Sequence, residues 1–236
     1  MNQFVATMPA AYERLYGKSE VAEHAAIVSR RQAQLVHAEL WQSAKGPQLC
    51  VVAEDRPGLL ALVTDALLAQ GMAIQSARAF CRVLGKDRDE AVDFLELRAP
   101  EGPADVSARL DGDGLQAFVQ SLSKLIADDT ARRAGESASA PRAESEPTTR
   151  VYFERQSPTD GSHLLVVDAP DSVGLLHAVS SALHEKGMRI VACESRTVEG
   201  RARDRFEVEP SSQRILSDRD LCDVQLAVLD ALPSRR

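Results

Sequence analysis

Hydrophobic positions along the chain alternate between two kinds of pattern, and the alternation occurs twice. Leu49-Cys50-Val51-Val52 and Leu164-Leu165-Val166-Val167 are short unbroken apolar runs that end in an Asp/Gly cluster, the pattern of buried strands. After each run the apolar residues recur at i, i+4, i+7 and i+8: Leu59, Val63, Ala66 and Leu67, then Leu175, Val179, Ala182 and Leu183. This spacing predicts a helix in each place, and Gly71 and Gly187 stand where a left-handed C-cap belongs. Ile74–Arg82 and Ile190–Val198 then read as extended. They turn through Gly85-Lys86-Asp87-Arg88 or Glu199-Gly200-Arg201 into Val92–Leu97 or Arg203–Val208, two hairpins of which the first has the longer loop. A second helix closes each unit. Its stripe is Leu115, Phe118, Val119, Leu122, Leu125 and Ile126 in the first, after Asp111-Gly112-Asp113-Gly114, and Leu221, Val224, Val228 and Leu232 in the second, where Ser217-Asp218-Arg219-Asp220 has the form of a capping box.

The two units are copies. A shift of 116 residues places Leu49, Val51, Ala53, Asp55, Gly58, Leu59, Leu60, Val63, Ala66, Leu67, Gly71, Met72 and Ile74 on identical residues without a gap. The same shift lays Leu35-Val36-His37 on Val151-Tyr152-Phe153, so an extended segment, Val36–Trp41 or Val151–Arg155, precedes each copy. The latter segment has two possible owners; the matching offset and the lack of an extended stretch after the last helix favour the second copy. The expected architecture is α+β, two ferredoxin-like sandwiches in tandem, each an antiparallel four-stranded sheet with two helices. The boundaries fall at a helical segment 1-34, a first domain 35-127, a linker 128-149 rich in Ala, Ser, Glu, Arg and Pro, and a second domain 150-236. Ahead of the copies, Ala10–Tyr16 and Glu20–Gln34 read as helices, with Ser19 as N-cap and Val21, Ala25 and Val28 on one face.

Composition narrows the function. At 236 residues, 44% hydrophobic and 27% charged, the chain has material for packed cores, and no run approaches the ~18–20 apolar residues of a membrane span. The opening residues have neither the basic and apolar regions of a signal peptide nor the arginines of a transit peptide, so a cytoplasmic location is expected. A net charge of −7 argues against a nucleic-acid partner. Cys50, Cys81, Cys193 and Cys222 are too scattered for a metal site and read as reduced, buried small hydrophobes. His177 and His184 share a helix face two turns apart, too far for one metal, and read as surface or boundary residues. No Walker loop, G-x-G-x-x-G or G-x-S-x-G occurs, no cofactor is implied, and the expectation is a protein without catalytic activity.

Asp55-Arg56-Pro57-Gly58-Leu59-Leu60 followed by Gly71-Met72-Ala73-Ile74, repeated as Asp171-Ser172-Val173-Gly174-Leu175-Leu176, resembles the signature of ACT domains, the small amino-acid-binding modules of metabolic enzymes. The Val151-Tyr152-Phe153-Glu154-Arg155 segment and the earlier Met8-Pro9-x-x-Tyr12 and His24-Ala25 are similar to the tandem ACT region that ends the uridylyltransferase/uridylyl-removing enzymes of PII signalling, whose catalytic domains have no counterpart here. The resemblance implies a regulatory module of nitrogen metabolism that binds a small amino acid, glutamine first, at the strand-to-helix turn. The residues concerned are Asp55, Pro57, Gly58, Leu59 and Leu60 in copy one and Asp171, Gly174, Leu175 and Leu176 in copy two. The chemistry fits, because N–H groups at a helix start are unsatisfied and attract a carboxylate, while Asp55 either accepts the ligand's ammonium or caps the helix. Copy one carries the stronger motif; Ser172-Val173 in place of Arg-Pro leaves copy two either a weaker site or the structural partner. Ala73 and Arg189 stand where the family often has Asn. The two copies are expected to pair edge to edge. The competing reading is a ligand-free interaction module that docks a protein partner, or a second copy, through the helices of Ala10–Gln34.

Overall fold

The structure, a computed structural model, describes residues 3–85, 89–98, 106–132, 149–154, 162–212 and 214–233. Three short helices, α1 (Gln3–Ala6), α2 (Ala10–Glu13) and α3 (Lys18–Arg30), lead into β1 (Val36–Ser43), β2 (Gly46–Glu54), α4 (Leu59–Ala69), β3 (Ala73–Val83), β4 (Asp89–Arg98), α5 (Val106–Arg109) and α6 (Gly112–Arg132). The second copy follows as β5 (Arg150–Glu154), β6 (His163–Pro170), α7 (Leu175–Glu185), β7 (Met188–Val198), β8 (Arg201–Pro210) and α8 (Asp218–Ala231). The class is α+β. Among the described residues eight strands form one antiparallel sheet in the order β1-β2-β4-β3-β7-β8-β6-β5. The copies meet edge to edge where Ser76–Phe80 of β3 pairs with Ala192–Arg196 of β7. The segment of ambiguous ownership, β5, pairs with β6 and forms the far edge of copy two.

Local chemistry explains most element ends. Gly71 and Gly187 take the left-handed conformation after α4 and α7 (φ +67° and +69°), and the Met72 N–H reaches back to the Leu67 carbonyl at 3.0 Å. Glu199 and Gly200, both at positive φ, make the two-residue turn between β7 and β8. Ser217 caps α8 as its motif predicts, with its own N–H donating to Asp220 Oδ2 at 2.9 Å. α6 continues to Arg132, five residues past the expected domain end at 127, because backbone hydrogen bonding outlasts the apolar stripe once a helix is nucleated. Residues 133–148 of that linker, the turn residues Lys86–Arg88, and Arg155 lie outside the described residues.

On one face of the sheet α4, α6, α7 and α8 bury a single core that runs through both copies, from Leu49, Val63, Leu67 and Phe118 to Leu165, Val179, Phe206 and Val228. The opposite face is treated differently in the two copies. Over copy one, α1 to α3 lay Phe4, Met8, Tyr12, Tyr16, Val21, Ile27 and Val28 against Trp41, Cys50, Val52, Phe80, Val92 and Phe94. This explains why β2 is apolar on both sides. Within that layer the Tyr12 hydroxyl and His24 Nδ1 share a 2.7 Å hydrogen bond, and burial lowers the His24 pKa to about 4. Ser19 does not cap α3; Gly17 does, its N–H donating to Glu20 Oε2 at 2.8 Å. The buried face of α3 is Val21, His24, Ile27 and Val28, with Ala25 only half-buried, and the helix ends at Arg30 rather than Gln34, Gln32 standing beyond it at φ +47°. Over copy two the same face carries ion pairs, Arg201 with Asp168, Arg205 with Glu154 and Arg196 with Glu194. Among the described residues no helix is long and apolar enough to cross a membrane.

Candidate functional site

The edge pairing relates the copies by an approximate two-fold, and on the face that carries α4 and α7 two related clefts open beside it, about 490 and 460 Å³ with their solvent-open parts included. Each is walled by the strand-to-helix turn of one copy and by the Gly-Met-x-Ile segment of the other. The copy-two turn, Asp171 to His177, faces Met72, Ala73 and Ile74; the copy-one turn, Asp55 to Leu60, faces Met188, Arg189 and Ile190. The structure thus brings the expected residues together in two groups. Asp55, Pro57, Gly58, Leu59 and Leu60 line one cleft and Asp171, Gly174, Leu175 and Leu176 the other, while the leucines also point into the core.

At the copy-two turn, Gly174 adopts φ +85°, which takes the chain from β6 into α7 without a side-chain cap. The Asp171 N–H is fixed on the Gly200 carbonyl at 2.9 Å, and its Oδ2 accepts from Arg98 Nη2 of copy one at 2.9 Å. Below this pair lies Asp204 on β8, fully buried. Neither of its carboxylate oxygens makes a hydrogen bond of normal geometry, and neither does the buried Ser172 hydroxyl at the same cleft. Burial raises the Asp204 pKa to about 7, opposed by the nearby Ser195 hydroxyl and Arg196 N–H and reinforced by Asp171. Thr64, Ser195 and Thr197 add hydroxyls to the wall, and the space above Gly174 is open.

The copy-one turn has the same backbone, with Gly58 at φ +81° and the Asp55 N–H on the Asp89 carbonyl at 2.9 Å. Asp55 does not cap α4, because its Oδ2 accepts from Arg189 Nε at 2.9 Å instead. The same guanidinium also reaches Asp89, Glu209 at 3.0 Å and the Cys81 sulfur. Asp93 on β4 sits below, with its pKa pushed to about 8 by burial and then by Asp55. The ring of His184 lies directly over Gly58, so that a Cβ there would fall 2.9 Å from its Cδ2.

Asp93 and Asp204 were not among the expected site residues. They occupy the same place in the two copies, opposite Val51 and Val167, at an offset of 111 rather than 116. The longer β3–β4 hairpin hides them from an ungapped comparison; a five-residue gap there aligns Ala91, Asp93 and Glu96 with Ala202, Asp204 and Glu207. A register correction of the same kind applies to the leading strands, where Val151 matches Ala38, not Leu35, because β1 and β2 join through a tighter turn. His177 and His184 are part of the contact between the copies, His177 Nδ1 standing 3.2 Å from the Thr64 hydroxyl oxygen. Cys50, Cys81 and Cys193 are buried as expected, but Cys222 is exposed, since it lies outside the apolar stripe of α8. Compared with models of known protein families and with curated proteins, the chain matches none.

Proposed function

We propose that the chain is a non-catalytic regulatory module of tandem ACT type, each half a ferredoxin-like sandwich whose outer strand comes first, and that it binds a small α-amino acid in the cleft between Asp171, Asp204 and Arg98. The observation that carries this reading is the set of under-satisfied buried polar atoms in that cleft, the Asp204 carboxylate, which meets only the Ser195 hydroxyl and the Arg196 N–H and these in poor geometry, and the Ser172 hydroxyl. Native proteins seldom leave such groups unmet, and a buried carboxylate without a counter-charge costs stability, a cost that a binding role accounts for. The charges suit a zwitterion. An ammonium group at Asp204 and Asp171 places the α-carboxylate toward Arg98 and the uncapped start of α7. The hydroxyls of Thr64, Ser195 and Thr197 suit a short polar side chain, and glutamine is the candidate the family resemblance supplies.

Because both copies wall the cleft, an occupant bears on the β3–β7 pairing, and a coupling of about 1–3 kcal/mol between site and pairing is enough for a switch. Docking of a protein through the N-terminal helices is the weaker reading, since their apolar residues are already spent on the sheet of copy one. A thermal-shift screen against the twenty amino acids tests the proposal. A ligand at 100 times its Kd adds about 2.7 kcal/mol of stability. The rise is expected in the wild type and in Asp55→Ala but not in Asp171→Ala; a protein that no amino acid stabilises up to millimolar concentration overturns it.

A further inference from the structure

The cleft at Asp55 differs from its counterpart at several places where copy two enters it: Glu209 stands where Arg98 meets Asp171 in the other cleft, and two further replacements are large. Position 189, an arginine, matches Ala73 at the offset of 116, and position 184, a histidine, matches Leu68. Both replacements fill the site. The Arg189 guanidinium lies among Asp55, Asp89 and Glu209, in the part of the cleft that corresponds to the ammonium position beside Asp171, and is mostly shielded from solvent. The His184 ring takes the space over Gly58 that is open over Gly174. We propose that this cleft is a cation-binding site occupied by the chain's own Arg189, so that the protein offers one open ligand site and not two. Arg189 is then the residue that sets stoichiometry, and the class of ligand the closed cleft would accept is a small guanidinium, whose planar fork matches carboxylates disposed on two sides better than a compact ammonium does.

Chemical rescue tests this without reference to amino acids. Arg189→Ala is expected to melt several degrees below the wild type, because Asp55, Asp89 and Glu209 are left facing one another. Methylguanidinium at low millimolar concentration is expected to recover at least half of that loss, methylammonium less, with neither moving the wild type. Absence of recovery, or an equal shift in the wild type, overturns the proposal. Should Arg189→Ala not fold, Arg189→Ala with Asp89→Asn carries one carboxylate fewer and is expected to respond in the same way. The stoichiometric half rests on the amino-acid reading above: titration calorimetry with glutamine, or with the amino acid that raises the wild-type Tm most, is expected to give one site in the wild type and two in His184→Leu/Arg189→Ala, and one site in both overturns the role of Arg189. A wild type that binds no amino acid refutes that reading alone, since rescue by methylguanidinium is decided independently.

Discussion

Replacing Asp204 by Asn is expected to stabilise the protein while abolishing ligand binding. The carboxyl group ionises near pH 3.8 when exposed and near 7 in the fold, a difference of about 3 units, which disfavours the ionised native form by about 4 kcal/mol. The folded value is raised, so the native state holds its proton longer than the unfolded chain does. The cost is nil below about pH 4, accumulates between pH 4 and 7, and is constant above. Asparagine never ionises and avoids this cost, but its buried amide brings a penalty of its own of about 1–3 kcal/mol. The net gain at pH 7.5 is therefore about 2 kcal/mol, or about 4–8 °C in Tm for a chain of this size, and it vanishes or reverses at pH 4.5. Urea melts of both proteins at the two pH values measure it, together with the thermal shift caused by the best amino acid. Two results refute the reasoning: an Asn variant less stable than the wild type at pH 7.5, or a gain that is the same at both pH values. An amino acid that binds by placing its ammonium on Asp204 also has to favour the charged carboxylate, so wild-type affinity is expected to rise from pH 6 to pH 8.

The two glycines at the turns separate strain from occupancy. Gly174→Ala is expected to cost about 1–2 kcal/mol for its positive φ alone, and Gly58→Ala about 1–3 kcal/mol more for displacing the His184 ring, both read from denaturant melts. His24, neutral in the fold with a pKa near 4, contributes stability that is fully present above pH 6.5 and lost as pH falls toward 4, about 3 kcal/mol at most; the loss is expected to flatten in Tyr12→Phe/His24→Leu. A maleimide under native conditions is expected to label Cys222 alone at an appreciable rate, as counted by intact-mass spectrometry, because the other three thiols are buried and their pKa values raised by that burial.

The sequence makes legible whatever depends on local pattern. The apolar run from Leu49 to Val52, the stripe from Leu59 to Leu67, the caps at Gly71 and Gly187 and the capping box at Ser217 are each decided by a few neighbouring residues, and each stands in the structure where the pattern places it. What pattern does not carry is partnership across distance. Nothing adjacent to Asp55 reveals that Arg189 claims its carboxylate, since 134 residues separate them. Asp204 looks like one more charge in Arg203-Asp204-Arg205, and only the alternation of β8 turns it inward while both arginines face out. The Arg-Pro of copy one, which makes that turn the stronger motif by sequence, marks the cleft into which Arg189 and His184 of the other copy project. Likewise the aromatic side chains of the first thirty residues give no sign in sequence of which sheet face they cover.

Joining the two units in one chain also changes how they can diverge. In an assembly of two identical subunits every substitution appears on both sides of the axis at once, so a change that closes one cleft closes the other. Here Ser76–Phe80 meets Ala192–Arg196 within a single polypeptide, and each half is inherited with its own codons. Alanine at 73 and arginine at 189 are free to be selected separately, so that one turn faces a small apolar side chain and the other a guanidinium. The tether also keeps the halves at an effective concentration set by the linker and not by expression level, so their pairing is independent of how much protein the cell makes.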